Sequence, residues 1–178
     1  GVPNDNDMAI SNDGKIISVI NSSIYIYNSD GSFLFFFSLS AFCDTLGNAY
    51  SKFDPKVLYD PRADKFVLLF LAGFTPEQTN VIIAFSETND PLGEWNFYAL
   101  PGNPKNNDRW TDFPMFALTE EELFLTINLI IPDEPWQTGF SETLIWQMSL
   151  DKGYNGDTID AVYYDSIFFA GNPIRNLN

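Results

Sequence analysis

Three aspartates stand at the same place in three otherwise different stretches of this chain. They are Asp5 in Asp5-Asn6-Asp7-Met8, Asp54 in Asp54-Pro55-Lys56-Val57 and Asp112 in Asp112-Phe113-Pro114-Met115, each three residues ahead of an apolar residue. The spacings are 49 and 58 residues. Each is followed by a short apolar run, so the sequence predicts that each carboxylate opens a strand. If the three strands are structural equivalents, the carboxylates gather into one arc. Carboxylates among backbone carbonyls suit a hard cation such as Ca²⁺, or a cationic group on a ligand, and Asn4, Asn6 and Asp7 would add oxygens. The plainer alternative is that each Asp accepts backbone N–H groups and shapes the turn into its strand.

A second set is aromatic. Trp110 beside Arg109, Trp136 after Pro135, and Phe140 fall in segments rich in Asn, Asp, Pro and Gly. Exposed aromatics in such loops are what a sugar- or protein-binding surface uses; the same side chains also fill gaps between packed sheets. Much other chemistry is excluded by residue type. The chain has no histidine, which removes Ser-His-Asp and Cys-His mechanisms and the commonest metal ligand. Its one cysteine, Cys43, permits neither an internal disulfide nor a thiolate metal cluster. Nine basic residues against 24 acidic give a net charge of -15 with no basic patch, so nucleic acid and anionic membrane surfaces are poor partners. The apolar runs are strand-length, too short for a membrane-spanning helix.

The elements that must position these residues repeat. After each Asp comes a strand, then a tight turn: Ser11-Asn12-Asp13-Gly14, Asp60-Pro61-Arg62-Ala63-Asp64 and Thr119-Glu120-Glu121-Glu122. Strands are predicted near 8–11, 15–20, 23–28 and 33–39; then 56–60, 65–72, 80–86 and 95–100; then 114–118, 123–130, 142–149 and 161–169. No window shows helical periodicity, and 150–160 reads as loop. Four strands repeated at this period are the signature of β-propeller blades. The expected fold is all-β: one domain over 1–178 made of three four-stranded antiparallel blades at about 4–42, 54–101 and 112–170. Propellers close with four to eight blades, so the reading expects an incomplete propeller, a piece of a larger one or one completed by another chain. The pattern already runs at Gly1 with no signal peptide ahead of it. Asp60, Asp64 and Glu120 to Glu122 are expected at exposed hairpin tips, solvated.

The ordered set Asn21-Ser22-Ser23-Ile24-Tyr25-Ile26-Tyr27-Asn28, Asp54-Pro55-Lys56-Val57, Ser86-Glu87-Thr88-Asn89-Asp90-Pro91-Leu92-Gly93-Glu94-Trp95 and Asp112-Phe113-Pro114 resembles large secreted bacterial proteins. These carry propeller-like domains similar to Asp-box and sialidase-like repeats, often beside adhesion modules and a C-terminal secretion or anchoring signal. Ser86, Asp90, Gly93 and Trp95 follow the Asp-box order, with three rather than two positions from Asp to Gly; Asp30-Gly31-Ser32-Phe33 is a reduced version. Such boxes stabilise turns. The resemblance implies a secreted or cell-surface location and carries no catalytic residue over. A sialidase-like site needs an arginine cluster, whereas Arg62, Arg109 and Arg175 sit in a hairpin turn, a loop and the tail.

The function expected is a non-catalytic adhesion module that binds a protein or a glycan. The alternatives are a carbohydrate-active enzyme whose two-carboxylate site is completed by other blades, and a structural subunit of a surface assembly.

Overall fold

The computed structural model describes residues 5–167; Asn4, Arg175 and the last residues of the third expected unit lie outside them. Among the described residues the chain is all-β, folded as three four-stranded antiparallel sheets, each built from four consecutive strands in chain order. The first contains β1 (Asp7–Ile10), β2 (Ile16–Ile20), β3 (Ser23–Tyr27) and β4 (Phe33–Ser38). The second contains β5 (Lys52–Asp60), β6 (Lys65–Ala72), β7 (Asn80–Ser86) and β8 (Trp95–Pro101). The third contains β9 (Trp110–Leu118), β10 (Glu122–Ile130), β11 (Phe140–Ser149) and β12 (Val162–Ile167). β12 pairs with β11 and not with a new sheet, as expected from the missing turn after Asp165.

Strand patterns state where each sheet lies. β6 and β7 (KFVLLFLA, NVIIAFS) are apolar at nearly every position because both faces of the second sheet are buried. β10 and β11 alternate, as period-2 geometry demands of a sheet with one core face. Two cores follow. Ile17, Val19, Ile24 and Ile26 of the first sheet pack on Val57, Phe66, Leu68, Phe70 and Ile82 of the second. The opposite face of the second sheet, Val67, Leu69, Val81, Ile83 and Phe85, packs on Leu123, Leu125, Ile127, Leu144 and Trp146 of the third. Phe66, Phe70 and Phe85 are fully buried, each worth about 1.5–3 kcal/mol in transfer free energy. The first strands neighbour one another, β1 beside β5 and β5 beside β9.

Three short helices interrupt segments expected to be loop, because four to six residues are too few to show a helical period. They are α1 (Leu39–Phe42), capped by Ser38, α2 (Trp136–Gly139), and α3 (Leu150–Asn155), capped by Ser149. α3 drops Leu150 and Tyr154 into the second core. It approaches so closely that a Cβ on Gly153 would lie 2.5 Å from the Phe85 ring. Trp110 and Phe140, expected in loops, open strands β9 and β11.

One repeat equivalence needs correction. The β5–β6 ladder bulges between Phe53 and Lys56, and the β9–β10 ladder bulges on β9 between Asp112 and Met115. The bulged residues with positive φ are Asp54 (φ 50) and Phe113 (φ 51), each followed by proline, and Asp5 (φ 38) holds the same place before β1. Ladder position therefore matches Asp5 and Asp54 with Phe113, while Asp112 takes the place of Phe53. Aligning the aspartates instead of the prolines shifts the third unit by one residue.

Candidate functional site

The three aspartates nevertheless meet. Burial, the charge of Asp112, the charge of Asp5 and a hydrogen bond to Asp112 raise the Asp54 carboxyl from 3.8 to about 6, with Lys56 opposing. Asp54 is thus hydrogen-bonded to Asp112, feels the charge of Asp5, and binds a proton in mildly acid solution. Carboxylates brought this close must hold a proton, a donor or a cation between them. Among the described residues no group of three or more His, Cys, Asp or Glu is arranged to hold a metal ion. Asp7, expected to add oxygens, is engaged elsewhere: its carboxylate accepts from the Val57 N–H at 3.1 Å and the Met8 N–H at 3.0 Å, tying β1 to β5.

Beside Asp112 opens a cavity of about 650 Å³ lined by Asp112, Phe113, Asn128, Ile130, Gln137, Phe140 and Thr143. It lies on the face of the third sheet turned away from the second. Phe113 is 62% exposed, at a strained φ that a β-bulge imposes. Asn128, one of the lining residues, accepts from the Thr143 hydroxyl at 2.9 Å. Phe140 is thus placed with Asp112. Trp110 is drawn into another group: half-buried, it lies 6.4 Å from Phe53 and 6.1 Å from Phe74, which stack at 4.3 Å. Trp136 opens α2, next to the cavity residue Gln137. Phe113 escaped the sequence reading; the signal available was Phe-Pro aligned with Asp-Pro.

The opposite end of the sheets is different. Asp60 and Asp64 are not solvated tips. Asp60 is only 4% exposed and accepts from the Arg62 amide at 3.0 Å, the Arg62 guanidinium at 3.2 Å and the Tyr154 hydroxyl at 3.2 Å. Burial would raise its carboxyl, but the Arg62 amide, the guanidinium and the Ala63 amide outweigh it and hold Asp60 below the ordinary range. Burial, then the Asp60 charge, raises the Tyr154 phenol. Arg62 also donates to the Thr119 carbonyl, joining the second sheet to the third. Asp64 accepts from Tyr59, from Asn89 at 3.0 Å and from Asn12 of the first sheet at 3.2 Å. Asp60 and Asp64 have become fasteners because each also accepts from a donor outside the second sheet, Tyr154 of α3 and Asn12 of the first sheet's turn, which a local reading cannot see.

The Ser86 to Trp95 turn joins β7 to β8 and is built as a structural device. The buried Ser86 hydroxyl accepts from the Phe66 amide at 2.8 Å, Gly93 N–H donates to the Asp90 carbonyl at 3.0 Å, and the Trp95 indole donates to Pro91 at 3.2 Å. Trp95 packs on Phe42 at 5.1 Å. Cys43 is buried, and burial raises its thiol out of the reactive range. Comparison with protein-family models, with curated proteins and with solved structures finds no match for this chain. No helix among the described residues is long and apolar enough to cross a membrane.

Proposed function

We propose that the three sheets are consecutive blades of a β-propeller, and that the chain is a non-catalytic interaction module of a secreted or cell-surface bacterial protein. Support for the blade arrangement comes from the packing order: opposite faces of the second sheet meet the first and the third, the β5 and β9 bulges fall at the same ladder position, and the first strands lie side by side. The ligand-binding reading rests on one observation, the cavity in which Asp112, Asn128 and Gln137 stand beside the exposed Phe113 and half-buried Phe140. Apolar ring faces beside side-chain amides and a carboxylate match a sugar, whose ring carries a C–H face and a hydroxyl edge. The test is a glycan array with the wild-type chain and the Phe140→Ala and Asp112→Asn variants. Glycan binding lost in both variants is the expected result; no glycan retained, or retention unaffected by either substitution, removes the reading.

A carbohydrate-active enzyme is the second reading, and it is favoured by Asp54. A carboxylic acid held at about 6 within hydrogen-bond reach of a second carboxyl is the pairing that general acid–base chemistry uses. Hydrolysis of aryl glycosides, abolished by Asp54→Asn and falling as pH rises past about 6, would establish it. Binding without turnover leaves the module.

A further inference from the structure

The two outermost sheet faces carry the same kind of surface as the buried ones, yet lie bare. The outer face of the first sheet shows Met8 (54% exposed), Ile10 (50%) and Phe36 (47%), backed by Tyr25 and Tyr27. No charged residue stands among the strand positions that share this outer face on β1 to β4, although the chain carries a net charge of -15. The outer face of the third sheet shows Met115 (47% exposed) and Tyr164 (49%) around Phe124 and Ile145.

The register says how these faces relate. Met8 is the equivalent of Val57, which is buried against the first sheet. Met115 is the equivalent of Asp7, which faces the second. Asp7 and Val57 touch in the existing interface, the carboxylate accepting the Val57 N–H at 3.1 Å. The outer face of the third sheet is therefore the partner that the outer face of the first sheet requires, in the same head-to-tail sense as the two junctions already formed.

We propose that two copies of this chain stack head to tail, third sheet on first at both junctions, to close a ring of six sheets. This rests on the blade reading above. A head-to-tail contact either closes or runs on as a filament. Propellers close with about four to eight blades, and two copies supply about six, whereas three copies would supply about nine. Two chains of charge -15 repel, so the apolar residues of the two outer faces are what would hold them together, with the first sheet's side uncharged. Closure also completes the site. The order Asp5, Asp54, Asp112 continues to Asp5 of the partner subunit, so β1 of the second copy walls the cavity beside Phe113 and Phe140.

The decisive measurement is sedimentation velocity of the full chain at micromolar concentration in about 0.15 M salt. A particle of twice 20.2 kDa, tightening as salt screens the repulsion, is expected. Met8→Glu and Met115→Glu each put a charge on a face that is exposed in the single chain, so both should fold and both should sediment as single chains. Single-cysteine variants then fix the direction: Met8→Cys mixed with Met115→Cys should form a disulfide dimer, while neither should do so alone. A single chain at about 100 µM, an open polymer, or cross-linking within one variant alone overturns the proposal. None of these outcomes depends on glycan binding, so ligand recognition and pairing fail separately.

Discussion

The two ends of the sheet stack handle the same side chain in opposite ways. At the hairpin end Asp60 is buried and lies below its ordinary range, because two amides, a guanidinium and a phenol converge on it. At the end where the first strands open, Asp54 is raised to about 6, because burial, then the charges of Asp112 and Asp5, disfavour its ionised form. Fully satisfied charge fastens sheets together; charge left in conflict costs stability and persists where it serves a ligand. The difference argues that the hairpin end is structural and the end where the first strands open is the working surface.

The largest effect should come from breaking the satisfied end. Asp60→Ala leaves Arg62 and the Tyr154 hydroxyl without their acceptor inside the stack and should cost about 3–5 kcal/mol in urea unfolding. A loss below about 1 kcal/mol would mean that the network is ornamental and would erase the contrast.

Asp54 should move the other way. Its folded pKa lies above its unfolded value of 3.8, so the folded state binds the extra proton between 3.8 and about 6. Its contribution to stability is present below 3.8 and is lost as pH rises through about 6. Asp54→Asn keeps the positive φ, which Asn tolerates, and, with solvent screening of this half-buried group, should gain about 1 kcal/mol at pH 7.5 but little at pH 4. Asp60, with a lowered value, gives stability that is lost as pH falls below 3.8. A thermal-melt series in which Asp54→Asn shows the same pH dependence as the wild type would end the idea of a proton held at Asp54.

Phe113 sharpens the comparison. It occupies the left-handed place held by Asp5 and Asp54, with a bulky side chain ill suited to it. Phe113→Asn should raise stability by about 0.5–1 kcal/mol while weakening glycan retention at the adjoining cavity. Gained stability with unchanged binding would show that the ring is tolerated and not used. The smallest effect should be that of a chelator: among the described residues no group of three or more acids is arranged to hold a metal ion, so EDTA should leave the melting temperature at pH 7.5 within about 1 °C, and a larger fall would place a cation at the arc after all.

Much of the fold was legible because strand geometry writes itself into sequence locally. Alternation in Glu122 to Ile130 announced one core face, and the unbroken apolar run of Phe66 to Ala72 announced two. Tight turns bounded each strand, so three groups of four followed. The convergence of Asp5, Asp54 and Asp112 was also readable, since strand openings in a repeat end up side by side.

What sequence alone determined is therefore periodic: which residues form strands, which faces are apolar, and that acids stand at the opening of each sheet's first strand. The tertiary structure alone decided everything that depends on a partner distant along the chain. It placed Phe113, not Asp112, at the left-handed bulge, because the ladder to β10 sets register while residue type only biases it. It turned Asp60 from a solvated tip into a buried fastener by bringing Tyr154 from 94 residues away. It set Asp54 apart from the other acids, since a carboxyl group's proton affinity depends on its neighbours in space.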